Sequence, residues 1–113
     1  MKRSFYIAGV QFRPREDINK VVNILKIGDM ISLSPEPSNK FDPNAVRIIK
    51  DEFFLGYVPK KFSSEISALM EIGGELKCVV EAVNPDAKAW EKIKVAIVDE
   101  EEVESYIDKE DVI

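Results

Sequence analysis

Residues 4–12, SFYIAGVQF, set aromatic and β-branched side chains beside small or polar ones with a two-residue repeat, which predicts a first strand buried on one face. The period then changes. Ile18, Val21, Val22 and Leu25 recur at helical spacing behind Asp17 as a cap, and Gly28 follows where helices commonly stop, so a short amphipathic helix is expected from Asp17 to Lys26. Strand periodicity returns at Asp29–Leu33 and is closed by Pro35 and Pro37, which cannot extend a central ladder. AVRIIK (45–50) and FFLGYV (53–58), joined by Asp51-Glu52, read as a hairpin, and Gly56 inside the second strand marks a bulge or a close backbone approach.

After Pro59, the spacing of Phe62, Ile66, Leu69 and Met70 predicts a second helix with Ser63 as its cap, ended by Gly73-Gly74. Leu76–Val83 and Glu91–Val98 form two more strands around an Asn84-Pro85-Asp86 turn, with Trp90 near the connection. Val and Ile make up 25 of the 113 residues and lie mostly in these strands, which favours a sheet over a helical bundle. About six short strands with hairpin links and no regular βαβ alternation predict a mainly β domain with two accessory helices: a small antiparallel barrel or curled sheet. No internal repeat or low-complexity linker divides the chain, so one domain is expected over residues 1–98.

Charge changes the picture in one respect. The formal net charge of -5 argues against nucleic acid, because phosphates are held by Lys and Arg. Yet residues 99–113 hold eight acids and one base, while residues 1–98 hold 15 bases and 13 acids. The body is mildly basic, and the acidity belongs to a C-terminal extension. Val103, Tyr106 and Ile107 fall on one face of a helix that this extension could form.

Several kinds of chemistry are excluded or disfavoured by what the chain lacks. With no histidine, His-based acid–base catalysis, a Ser-His-Asp triad and most zinc sites are out of reach. A single cysteine, Cys78, forbids an internal disulfide and sits in an apolar alternation as a small buried hydrophobe, which fits a reducing, cytoplasmic setting. No phosphate-binding glycine loop, calcium-loop spacing, signal-peptide core or membrane span is present in the pattern. An enzyme is the least favoured class, with a small hydrolase as its remote form, and no cofactor or metal is expected.

Three segments instead gather aromatic, polar and basic residues at strand ends: Gln11-Phe12-Arg13, the turn Asn39-Lys40-Phe41-Asp42-Pro43-Asn44, and Tyr57 to Lys61 with Lys60 and Lys61. Aromatics that stack on bases beside cations that meet phosphates are what a single-strand binding surface requires. Taken singly, each segment has an ordinary reading as core, turn or solvated helix start. Their co-occurrence carries the information.

IAGVQF (7–12), GDMISLSPEPSNKFDPNAVRI (28–48) and FLGYVPKKFSSEISALM (54–70), read in order, resemble the HIRAN domain. N-x-F-D-x-N-A-V followed by G-Y-V-P is the specific part, and the likeness spans most of residues 5–83. The resemblance implies an OB-like or SH3-like β-barrel with accessory helices that captures the 3′ end of single-stranded DNA in DNA repair or fork processing. Carried over, Phe12 and Phe41 would stack on terminal bases, and Asp42 would accept a hydrogen bond from the 3′ hydroxyl. Asn39 and Asn44 would shape the loop, and Tyr57, Lys60 and Lys61 would meet phosphates.

DNA-capturing members tend to have Arg and Tyr where this chain has Gln11 and Phe12, Tyr where it has Phe41, and often Pro where it has Lys40. Gln11, Phe12 and Phe41 keep the stacking faces and remove phosphate and hydroxyl contacts, so weaker end capture is expected, while Lys40 restores a positive charge and loosens the loop. The helix at residues 17–26 resembles an insertion relative to short members. The rival to DNA binding is a protein-interaction adaptor that uses the same cleft or the acidic extension.

Overall fold

The computed structural model describes residues 1–99, and the expected acidic extension beyond Asp99 lies outside the described residues. Six strands, β1 (Lys2–Tyr6), β2 (Met30–Pro35), β3 (Val46–Lys50), β4 (Phe53–Tyr57), β5 (Leu76–Val83) and β6 (Ile93–Asp99), pair antiparallel in the order β1-β6-β5-β2-β3-β4. Helix α1 (Arg15–Ile24) follows β1, and α2 (Lys60–Glu71) follows β4. The sheet curls until its two ends meet. Ala8 N–H donates to Tyr57 O at 2.9 Å and Tyr57 N–H to Ala8 O at 2.8 Å, an isolated bridge that joins the segment after β1 to β4. The result is the mainly β, OB-like curled half-barrel with two helices expected of this sequence.

Alternation fills the interior. Phe5, Ile31, Val46, Ile48, Leu55, Cys78, Val80, Val95 and Ile97 turn inward from the strands, joined by Ile18, Val21 and Val22 of α1 and by Ile66 of α2. Burying side chains of this size contributes about 1.5–3 kcal/mol each before the entropy of ordering is set against it. Helix α2 is further tied to β1 by Phe62 stacked on Phe5, with centroids 5.7 Å apart, and by the Arg3 guanidinium gripping Glu65 at 2.7 Å.

Four local features differ from the sequence reading, each for a backbone reason. Strand β2 runs on through Pro35, which pairs with Val46 where β5 no longer borders the strand. The first strand ends at Tyr6: Gly9 takes φ +79° and turns Val10–Phe12 into a 3₁₀ turn, so Val10 points into the core while Phe12 stands out. Ser63 is not the cap of α2. Pro59 occupies that position, and the Ser63 hydroxyl inside the first turn donates its one hydrogen to Asp42 Oδ2 at 2.8 Å, with Lys60 O a longer alternative at 3.1 Å. Helix α1 starts two residues before Asp17, behind Pro14, and Asp17 lies in its first turn. Gly56 is the close approach that its position implied. Its φ is +151°, the register slips opposite it between Ile48 and Ile49, and a Cβ there would collide with Ala8 O and come within 2.8 Å of Ile7 Cγ2.

Candidate nucleic-acid interface

Glu36, just after β2, organises the loop that leads to β3. Its carboxylate takes the Asn39 side-chain amide at 2.8 Å and the Tyr57 hydroxyl at 3.2 Å, and it lies 2.8 Å from Arg47 Nε as an ion pair. Asn39 uses both ends of its amide. Nδ2 donates to Glu36 and, at 3.3 Å, to Tyr57 Oη, while Oδ1 accepts the backbone N–H groups of Phe41 and Asp42, each at 2.9 Å. Asp42 then accepts the Asn44 N–H on Oδ1 at 2.8 Å and the Ser63 hydroxyl on Oδ2 at 2.8 Å. This is an Asx-type turn pinned at both ends, the role that Asn and Asp side chains fill by bonding to nearby backbone.

The loop's own aromatic takes no part in holding it. Phe41 is 91% exposed, and Phe12 on the Val10–Phe12 turn is 81% exposed. Both line one cleft of about 510 Å³, whose other contributors are Phe54 and Tyr57 of β4, Arg13, Asn39, Asp42 and Lys60 at the start of α2. Two large apolar side chains in water on one concave surface mark a binding site more than a folding need.

Beside them lies a stack the sequence did not announce. The Arg13 and Arg47 guanidinium groups each sit 4.1 Å from the centroid of the Phe54 ring, Arg13 Nε donates to Phe54 O at 3.2 Å, and Tyr57 meets Phe54 edge-on at 5.2 Å. Cation–π packing holds Arg13 at the cleft while leaving its charge in play. Glu36 offsets Arg47, whereas no ion pair engages Arg13 or Lys60 among the described residues.

Of the eleven residues singled out from sequence, Phe12, Arg13, Asn39, Phe41, Asp42, Tyr57 and Lys60 come together at this cleft. Asn44 supports it through its backbone N–H, and its side chain is exposed. Lys40 is exposed on the loop without lining the cleft. Lys61 turns to the ring of Phe62, 4.9 Å from its centroid, and Gln11 lines a different cavity. Sequence reasoning missed four residues: Glu36, Arg47, Phe54 and Ser63. Only Glu36 carried a signal, as the acid between Pro35 and Pro37.

Among the described residues, no group of His, Cys, Asp or Glu is placed to hold a metal, and no helix is long and apolar enough to cross a membrane. Comparison with curated proteins finds no match. Among solved structures, the chain is similar to a protein from Lactobacillus plantarum, at TM-score 0.71 and 18% identity over 86% of this chain and 95% of that one. It is also similar to the HIRAN domain of human HLTF, at TM-score 0.66 and 15% identity over 92% of this chain and 81% of that one. The HIRAN domain profile matches residues 3–101, nearly the whole length described above, and the chain belongs to the HIRAN domain family.

Proposed function

We propose that the chain is a non-enzymatic DNA-binding module whose cleft receives the 3′ end of a single strand. The observation that carries this reading is the pair of exposed phenylalanines, Phe12 and Phe41, on one cleft with a fixed carboxylate between the loop and α2. Phe12 and Phe41 stack on the last bases, each contact worth about 1–3 kcal/mol. Asp42 already accepts one hydrogen bond on each oxygen, and an ionised carboxylate has about four lone-pair sites, so it retains room for a hydroxyl donor. A terminal phosphate brings charge of the same sign and is repelled. Arg13 and Lys60 meet backbone phosphates, helped by the start of α2, where no acidic residue or side-chain cap occupies the first turn.

The test is a fluorescence-anisotropy titration of a 5′-labelled hexanucleotide ending in a 3′ hydroxyl or a 3′ phosphate, against wild type and Asp42→Asn, which keeps the loop's shape and removes the charge. The hydroxyl end binds wild type at least about 10-fold tighter, and the substitution erases most of that preference. Equal binding of the two ends to wild type refutes end recognition. Two phosphate-contacting cations predict a slope of log K against log salt of about -1.4 for a single strand. A flat response turns the reading toward a protein partner.

A further inference from the structure

The Val10–Phe12 turn has a second side. Toward α1 opens a cavity of about 350 Å³ whose lining includes Arg13, Arg15, Lys92, Gln11 and Asn19. No carboxylate lines it; Glu16, Asp17 and Glu91 lie on the flanking elements without reaching its walls. Neither Arg15 nor Lys92 makes an ion pair among the described residues. The Lys92 ammonium donates to Pro85 O, which leaves two of its three N–H donors for another acceptor.

Next in sequence to the lining residue Ala89 is an exposed aromatic. The short 3₁₀ turn Ala89–Glu91 packs beside Val10–Phe12, and Trp90 is 51% exposed with Lys88 Nζ 5.6 Å from its ring centroid. Unpaired cations, amide donors and a half-exposed indole repeat the makeup of the cleft that the same turn also borders. Arg13 lines both cavities.

We infer that this basic cavity and Trp90 form a second contact for the strand whose 3′ end lies in the cleft, receiving phosphates at Arg15 and Lys92 and one base on the indole, several nucleotides to the 5′ side. The inference rests on the end-binding reading. Arg13 links the two sites, since it lines both cavities. Arg15 and Lys92 meet phosphates, which carry no sequence information, so the added contact is indifferent to base identity and sensitive to length.

Trp90 is the chain's one tryptophan, and its emission reports directly on this surface. A trinucleotide and a decanucleotide, both with free 3′ hydroxyls, are titrated by intrinsic fluorescence and by anisotropy. The decamer binds about 5- to 150-fold tighter than the trimer, the range expected for one added stacking contact, and it alone quenches Trp90. Charge reversal at Arg15→Glu with Lys92→Glu, and separately Trp90→Ala, brings decamer affinity down to the trimer's while trimer affinity holds; the latter also shows that the variants are folded. A decamer that binds no tighter than the trimer, or keeps its affinity in the charge-reversed variant, overturns the second contact and leaves the cleft intact. Binding of neither oligonucleotide to wild type overturns both.

Discussion

Replacing Gly56 by Ala tests how the sheet's two ends are held together. The residue sits at φ +151°, a region that only glycine occupies readily, and costs of about 1–3 kcal/mol attach to other residues forced there. The new Cβ would also press on Ala8 O and lie 2.8 Å from Ile7 Cγ2, and backbone cannot step aside as a flexible side chain does. Relief requires Ala8 and Tyr57 to separate. Their two reciprocal hydrogen bonds, each worth about 0.5–1.5 kcal/mol net, are then lost. Together the terms come to about 2–6 kcal/mol, a large part of the 5–15 kcal/mol typical of a domain.

For a chain of this size that is a fall in Tm of about 10–40 °C, read by far-ultraviolet circular dichroism and checked by urea unfolding. Gly73→Ala is the matched control, because Gly73 also has a positive φ, +86°, but a Cβ there meets nothing within 4 Å. It should lose only about 1–2 kcal/mol. If the two variants melt together, or Gly56→Ala melts within about 5 °C of wild type, the close-approach argument is wrong.

Two further outcomes follow from single side chains. Asn39→Ala removes the acceptor for the Phe41 and Asp42 amides and the donors to Glu36 and Tyr57, and a loss of about 2 kcal/mol of local hydrogen bonding speeds hydrogen exchange of the part-buried Asp42 amide about 30-fold. Unchanged exchange there would show that the loop is held by something else. Burial pushes the Cys78 thiol well above its ordinary range, so the folded state keeps its proton while the unfolded chain loses one above about pH 8.5. Its contribution is therefore fully present below that pH and declines as pH rises, by about 1.4 kcal/mol per unit, until the folded thiol itself ionises. Wild type should lose stability between pH 9 and 10.5 more steeply than Cys78→Ala in urea unfolding; parallel slopes would contradict the burial argument.

The strands and both helices were legible because each buries one face, and burial writes a period into the sequence. Ile18, Val21, Val22 and Leu25 were found by spacing alone, and all four are buried. The strand that ran too far, through Phe12, fails at Gly9. A glycine within an apolar alternation does not reveal its φ, and the alternation continued by chance across a 3₁₀ turn that buries Val10 and exposes Phe12. At the site, the Asn39–Asn44 turn was readable because Asn and Asp act on their near neighbours. Arg47, Phe54 and Ser63 act across the fold. Arg47 and Phe54 sit in strands as ordinary alternating positions, and Ser63 looks like any helix-start serine until β3 and α2 bring it to Asp42. Pairings between elements leave no periodic trace in the chain.

In the loop after Glu36, the hydrogen-bonding side chains that hold the turn, Asp42 among them, are separate from its projecting aromatic, Phe41. Asn39, Glu36, Tyr57 and Ser63 keep the turn in shape through hydrogen bonds, and Phe41 projects from it with almost no contact to the protein. Such a division makes the loop a socket with an exchangeable tip. Position 41 is free to drift among aromatic, polar or charged residues at little expense to folding, so a lineage can retune what this cleft grips, or abandon gripping altogether, while the fold around it looks unchanged.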